Sequence, residues 1–176
     1  MNAGDPGLTV AEDQAFARKS DAYLSRAFAL ACYLMGNRSD AEDAAQEAMV
    51  RAWSARRSLR DPNSFEAWFD RILVNCCRER QRRPYRVREI HLAAVGEARA
   101  DDDFAAVLAR DSIGLALSSL TLDQRTVVVL RYWRDLSLEE IARRLDWPMG
   151  TVKSRLHYAL AAIRQRVERD EQETTQ

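Results

Sequence analysis

Apolar residues recur at steps of three or four along most of the chain, the pattern of amphipathic helices. The clearest example begins at Ser137, which is followed by Glu140 in the spacing of a capping box. Pro148 disfavours helical geometry at Trp147 and can open a second helix. The apolar stripe before the break is Leu138, Ile141, Ala142 and Leu145, and the stripe after it is Val152, Leu156, Ala159, Leu160, Ile163 and Val167. Residues 137–167 are therefore predicted to form two helices joined by a tight turn.

The start of the second of these helices carries small, hydroxyl and cationic side chains outside its apolar stripe. They are Met149, Gly150, Thr151, Lys153, Ser154, Arg155 and His157. A helix that enters the major groove needs such a slim start, hydroxyls and cations for phosphate, and Lys or Arg for guanine edges. An ordinary helix pair with a solvated charged face is the alternative. We favour a helix-turn-helix that binds DNA, a motif that several classes of DNA-reading protein share.

Three further helices are predicted in the first half, after a disordered leader of residues 1–10. The first runs from Ala11 to Met35, with Phe16, Tyr23, Leu24, Ala27, Phe28, Ala31, Leu34 and Met35 on its apolar side. Ser39 and Glu42 form a second capping box, for a helix with the inner stripe Ala41, Ala45, Ala48, Met49, Ala52 and Trp53. Ser64 is expected to cap the third helix, in which Phe65, Trp68, Phe69, Ile72, Leu73 and Cys76 point inward.

The polar faces of these helices leave two interpretations open. Asp43, Gln46 and Glu47 favour the helix dipole and solubility, or they form an acidic face that docks on a basic partner. The third helix ends with Asn75, Arg78, Arg82 and Arg83, which either form a solvated cationic end or follow a phosphate backbone. The polar loop and aromatic residues nearby favour the second interpretation, because aromatic residues and pockets hold unstacked bases.

From residue 86 to residue 111 the helical periodicity weakens, and Gly96 with the acidic run 101–103 indicates a flexible linker. Thr121 or Asp123 is expected to cap the helix that precedes the helix-turn-helix. Its apolar residues are Val127, Val128, Leu130, Tyr132 and Trp133. The predicted fold is all-α: two small helical domains, 11–85 and 112–170, are joined by the linker 86–111, and the C-terminal domain contains the helix-turn-helix.

Composition and charge narrow the possible functions. The chain has 27 basic and 27 acidic residues, so DNA affinity must come from local patches and is expected to be modest without a partner. The three cysteines and two histidines show no metal or triad spacing, and no glycine loop could cradle phosphate, so we expect no enzyme, no cofactor and no small-molecule substrate. Without a signal peptide or a membrane span, the predicted location is the cytoplasm.

The ordered set of motifs resembles the bacterial RNA polymerase sigma factors of the extracytoplasmic-function type. Residues 40–53 (DAEDAAQEAMVRAW) are similar to the family's polymerase-binding segment, and residues 61–83 (DPNSFEAWFDRILVNCCRERQRR) to its promoter-melting and minus-ten segment. Residues 120–145 (LTLDQRTVVVLRYWRDLSLEEIARRL) and 148–157 (PMGTVKSRLH) resemble its minus-thirty-five reader. The resemblance implies that the protein directs promoter recognition, DNA melting and transcription initiation, for a stress or envelope regulon.

The resemblance also implies residue roles and partners. Asp43, Gln46 and Glu47 would bind the clamp of the largest polymerase subunit, and the second domain would meet the flap. The minus-ten contacts would be Arg60, Asp61, Asn63, Ser64, Phe65, Trp68, Asn75, Arg78, Arg82 and Arg83, with a flipped base held by the loop. The minus-thirty-five contacts would be Thr151, Lys153, Ser154, Arg155 and His157. An anti-sigma factor is a further expected partner. A stand-alone helix-turn-helix regulator is the chief alternative, but it leaves the first half of the sequence unexplained.

Overall fold

The computed structural model describes residues 10–82 and 112–174, and all regular structure in these ranges is helical. The first range contains helices α1 (Val10–Met35), α2 (Arg38–Ala55) and α3 (Phe65–Arg82), with 3₁₀ turns at Arg56–Ser58 and Pro62–Ser64 between α2 and α3. The second contains α4 (Ser112–Ser118), α5 (Leu122–Tyr132), α6 (Leu138–Leu145) and α7 (Met149–Thr174). The predicted leader and linker lie outside the described residues. None of the described helices is both long enough and apolar enough to span a membrane.

Helices α1, α2 and α3 pack on one another through aromatic rings and alanines. Phe16, Tyr23, Phe65 and Phe69 form a chain of edge-to-face and tilted ring contacts between α1 and α3. The buried residues of α2 include Ala41, Ala44, Ala45, Ala48 and Ala52. The sequence assigned Leu24 and Trp53 to the buried stripes, and this was wrong. Their side chains are 42% and 43% exposed, because each lies at the edge of its stripe, where a helix turns its residues toward solvent.

Two predicted helix caps differ from those in the structure. Gly36 ends α1 with a positive φ of 72°, and the chain re-enters a helix at once. Asn37 rather than Ser39 is therefore the N-cap of α2, and its Oδ1 accepts a hydrogen bond from the Asp40 amide at 2.8 Å. Helix α3 begins at Phe65, directly after Ser64 as expected, but the side chain that caps this region is Asp61. Its carboxylate accepts from the Asn63 amide, because Pro62, two residues before Ser64, starts a 3₁₀ turn.

The helix-turn-helix was predicted more accurately. Ser137 and Glu140 form the expected reciprocal capping box at the start of α6. Asp146 ends this helix in the left-handed conformation, and α7 begins directly after Pro148. Of the two candidate caps for α5, Thr121 serves, in a capping box with Gln124. The fully buried core includes Val127, Leu130, Ile141, Val152 and Ala159, whereas Tyr132, Trp133 and Val167 are at least 40% exposed, contrary to the predicted stripes.

The two halves pack on each other, α1 against α5 and α3 against α6, and share one continuous core. Arg125 of α5 is 7% exposed and donates to the carbonyl oxygens of Leu34 at 2.7 Å, Leu117 at 2.9 Å and Leu120 at 3.2 Å. Its guanidinium thus binds carbonyls at the C-terminal end of α1, in the last turn of α4 and just after α4, where a cation is favoured. Burial lowers the pKa of this arginine. The contact ties the second half to the end of α1.

Candidate nucleic-acid interface

The loop before α3 is held rigidly by Asp61. Its carboxylate accepts hydrogen bonds from the Asn63 amide and the Ser64 hydroxyl, both at 2.9 Å, and these lower the pKa of Asp61. Lys19 of α1 donates to the Pro62 carbonyl at 2.7 Å and fixes the loop to the helix behind it. The side chain of Asn63 is exposed beside this framework. The loop is thus ordered before any ligand arrives.

A cavity of about 550 Å³ opens beside this loop. Its wall from the first half is formed by Ser58, Leu59, Arg60, Asp61, Asn63, Ser64, Ala67, Trp68 and Arg71, and its wall from α6 by Glu140, Arg143 and Arg144. Trp68 is half-buried, and its indole donates to the Ser58 hydroxyl at 3.3 Å. The volume is more than enough for a nucleobase, and the mixture of ring, amide and guanidinium groups offers both stacking and hydrogen bonds.

Not every predicted minus-ten residue reaches this surface. Phe65 is 4% exposed and packs against Phe16 and Trp68, so it supports the wall from behind and does not touch the cavity. Asn75 and Arg82 are exposed on the later turns of α3, and Arg83 lies outside the described residues. Sequence reasoning missed Arg71, an exposed cavity residue whose position one turn after Trp68 was the available signal.

The acidic face of α2 is tied to α3. Arg80 binds Asp40 at 2.8 Å and also binds Asp43, while Arg51 binds Glu47 at 2.5 Å and Glu79 at 2.6 Å. Gln46, between the two acidic residues, is exposed. Asp43 and Glu47 therefore carry structural ion pairs as well as any docking role, and Gln46 is the member of the predicted set that substitution can change with least effect on the fold.

The start of α7 presents the predicted reading residues unevenly. Lys153, Ser154 and His157 are exposed, and Thr151 is half-buried. Arg155 turns back toward α5, where its Nη2 lies 2.7 Å from Asp123 Oδ2, and its guanidinium carbon lies 4.1 Å from the centre of the Trp147 ring. Burial, and then the charge of Arg78, lower the pKa of Arg155, although Asp123 opposes them.

One ionic cluster between the halves was missed entirely. Asp70 of α3 is fully buried, and it accepts hydrogen bonds from Tyr23 at 2.7 Å and from Arg144 at 2.5 Å. Arg134 lies 3.7 Å from the same carboxylate and donates to the Tyr23 hydroxyl at 2.8 Å. Burial raises the pKa of Asp70, while Tyr23 and the two arginines lower it. An acid within the apolar stripe beside Phe69 was the signal in the sequence.

Comparison with known proteins accounts for both halves of the chain. The family model "Sigma-70 region 2" matches residues 20–87, and "Sigma-70, region 4" matches residues 116–165. The ECF RNA polymerase sigma factor SigW of Bacillus subtilis is 32% identical over 169 residues, covering 89% of this chain and 90% of that protein. The RNA polymerase sigma-E factor of Streptomyces avermitilis is 35% identical over 129 residues, covering 73% of this chain and 72% of that protein.

Solved structures show the same fold. The sigma factor RpoE of Bartonella quintana, solved in complex with the anti-sigma factor NepR, superposes with a TM-score of 0.62 at 23% identity, covering 88% of this chain and 98% of that one. A lone helix-turn-helix regulator would match only the second half of the chain. Because the region 2 match covers α2, α3 and the loop between them, and the region 4 match covers the helix-turn-helix, the chain belongs to the extracytoplasmic-function sigma factors, which direct transcription initiation by RNA polymerase.

Proposed function

We propose that this sigma factor uses three separate surfaces: the exposed face of α2 for core polymerase, the loop cavity for a flipped minus-ten base, and the start of α7 for the minus-thirty-five element. The observation that carries the proposal is the cavity beside the loop 61–64, because a preordered polar loop, an indole and three exposed arginines, Arg60, Arg71 and Arg143, converge there. Unstacking a base costs a few kcal/mol, and such a site recovers that cost by stacking and edge contacts.

The division of labour on DNA follows from exposure. Lys153 and His157 stand clear at the start of α7, where a major-groove helix contacts base edges. Asn63 is exposed at the cavity, which an unpaired base would enter after the strands separate. Domains 11–85 and 112–170, joined by linker 86–111, would place the two readers on the two promoter elements. The protein would act in the cytoplasm, on promoters of a stress or envelope regulon, with no catalytic chemistry of its own.

Partner docking is proposed on α2, against the clamp of the largest polymerase subunit, and the second domain would meet the flap. An anti-sigma factor, of the kind found with the Bartonella protein, is a further proposed partner. Gln46→Arg tests the docking face with minimal harm to the fold, because Gln46 is exposed. Against a basic partner surface the added cation should weaken core binding about tenfold, or about 1.4 kcal/mol. Gln14→Arg, the same change on the exposed surface of α1, is the matched control.

The deciding experiment is transcription by core polymerase on fragmented DNA of the source organism, with start sites mapped by sequencing. Addition of the protein should create a set of starts that share two upstream elements. Asn63→Ala should lower the permanganate reactivity of thymines near these starts while duplex binding by the holoenzyme stays unchanged. Absence of any protein-dependent start sites would refute the function. Parallel loss of binding and opening in Asn63→Ala would refute the role of the loop.

A further inference from the structure

Asp123, in the first turn of α5, binds one arginine from each half of the protein. Its Oδ1 accepts a hydrogen bond from Arg78 Nε at 2.7 Å, and its Oδ2 lies 2.7 Å from Arg155 Nη2. All three side chains are partly exposed, at 23–27%. Both oxygens of a single carboxylate are thus occupied by two guanidinium groups, which come from helices α3 and α7.

Trp147 completes this arrangement from the turn of the helix-turn-helix. The guanidinium carbons of Arg78 and Arg155 lie 4.5 Å and 4.1 Å from the centre of its ring, the geometry of two cation–π contacts. Asp123 and Trp147 therefore form a cage that holds both cations. We refer to these four residues, Arg78, Asp123, Trp147 and Arg155, as the arginine cage.

The two caged arginines belong to different DNA-reading surfaces. Arg78 is a proposed minus-ten contact, and Arg155 is a proposed minus-thirty-five contact. A guanidinium bound to a carboxylate uses the same donors that would bind a phosphate or a guanine edge. The halves also meet at the loop cavity, one wall of which is formed by Arg143, Arg144 and Glu140 of α6. In the docked arrangement, one arginine of each reading surface is therefore engaged by the protein itself.

Two buried contacts hold the halves together independently of the cage. Asp70 binds Arg134 and Arg144 out of solvent, and Arg125 binds the Leu34 carbonyl. The cage differs from them because water and ions reach it, so a phosphate can compete for its arginines. The buried contacts therefore hold the two halves together, whereas the ion pairs of the arginine cage can be exchanged for contacts with phosphate.

We propose that the docked arrangement is a resting state of this sigma factor, in which Asp123 acts as an internal substitute for DNA phosphate and withholds Arg78 and Arg155 together. This inference rests on the proposed function, because it takes both arginines as DNA contacts. To bind both Arg78 and Arg155, the phosphates of promoter DNA must displace the Asp123 carboxylate from them. Free protein should therefore bind DNA with fewer effective charges than its exposed basic residues suggest.

Asp123→Asn in the full chain tests the cage. Each arginine that gains a phosphate contact adds about 0.9 to the steepness of log Kobs against log salt concentration. We expect the slope for a random-sequence duplex to steepen by about 1–2 and the affinity in low salt to rise several-fold. Asp135→Asn is the matched control, because Asp135 is 98% exposed and the net charge changes equally. Adding Arg155→Ala to Asp123→Asn should remove about half of the gain in slope.

Trp147→Leu is a second variant that should release Arg78 and Arg155 from the arginine cage. It keeps the test available if Asp123→Asn fails to fold. It removes the ring contacts and should steepen the slope in the same direction by a smaller amount. Slopes for Asp123→Asn and Trp147→Leu that equal that of Asp135→Asn would overturn the proposal. The wild-type transcription assay is independent of this comparison. A working holoenzyme with unchanged slopes would refute the cage alone, whereas steeper slopes without protein-dependent starts would refute the sigma function.

Discussion

Removal of the Tyr23 hydroxyl provides a stringent test of the buried ionic cluster, because the change is a single oxygen atom. Tyr23 is 4% exposed, and its hydroxyl both donates to Asp70 and accepts from Arg134. Burial, and then the Asp70 charge, raise the pKa of Tyr23, so the phenol remains a proton donor at neutral pH. Tyr23→Phe keeps the ring contacts with Phe65 and Phe69 and removes only the polar bridge.

The size of the effect follows from what Asp70 loses. A hydrogen bond to a charged group contributes about 1.5–3 kcal/mol, and a fully buried carboxylate has no access to replacement water. We therefore expect Tyr23→Phe to lower the free energy of unfolding by about 2 kcal/mol. For a chain of this length, that corresponds to a fall in Tm of about 4–8 °C.

Urea denaturation followed by circular dichroism measures this change, with the midpoint lowered at constant m-value. Tyr158→Phe is the control, because Tyr158 is 63% exposed on α7 and a surface change of this kind stays within about 0.5 kcal/mol. If Tyr23→Phe is as stable as Tyr158→Phe, then the hydroxyl does not stabilise Asp70, and the cluster contributes through its arginines alone.

Three more outcomes are expected. Arg125→Met should cost about 2–4 kcal/mol in the same assay, because several buried carbonyls lose their donor, whereas exposed Arg164→Met should change little. In the folded protein the pKa of Asp123 lies below the ordinary carboxyl value of 3.8, because the raising by burial is outweighed by the lowering by Arg78 and Arg155. The difference in unfolding free energy between wild type and Asp123→Asn should therefore be complete above pH 3.8 and should disappear as the pH falls through the folded pKa of Asp123. A difference that does not change with pH would contradict these ion pairs. Asn37→Ala should cost about 1 kcal/mol through loss of the α2 cap, and a neutral result would restore Ser39 as the effective cap.

Features that depend on a few neighbouring residues could be read from the sequence. The capping box at Ser137 lies within one turn and forms as predicted, and of the two candidate caps Thr121 and Asp123 it is Thr121 that caps α5. The errors arose where two local signals competed. Gly36 ends α1 early enough for Asn37 to cap α2, so the equally plausible Ser39 lies inside the helix. Trp53 continued an apolar stripe, but its hydrophobicity did not fix its burial, since rings at a stripe edge remain half in water.

The relation between the two halves could not be read in the same way. Arg78 and Asp123 are 45 positions apart, and Arg134 and Tyr23 are 111 positions apart. The sequence identified Arg78 as a cation at the end of a helix, which is compatible with a phosphate or a carboxylate partner. Only the packing of the two halves on each other, which brings Asp123 of α5 to Arg78, decides which of the two it meets in the free chain.

The reaction rates of the three cysteines can be used to measure how often this protein opens locally. Cys32, Cys76 and Cys77 are all free and buried, and burial raises their pKa values to about 11, 11 and 12. A thiol that is both shielded and protonated reacts slowly with alkylating reagents. Because Cys76 and Cys77 lie mid-helix in α3, their alkylation must wait for that helix to leave its neighbours, and the rate reports local opening without any attached label. The same measurement on the holoenzyme and on the free chain would compare how often α3 opens in each.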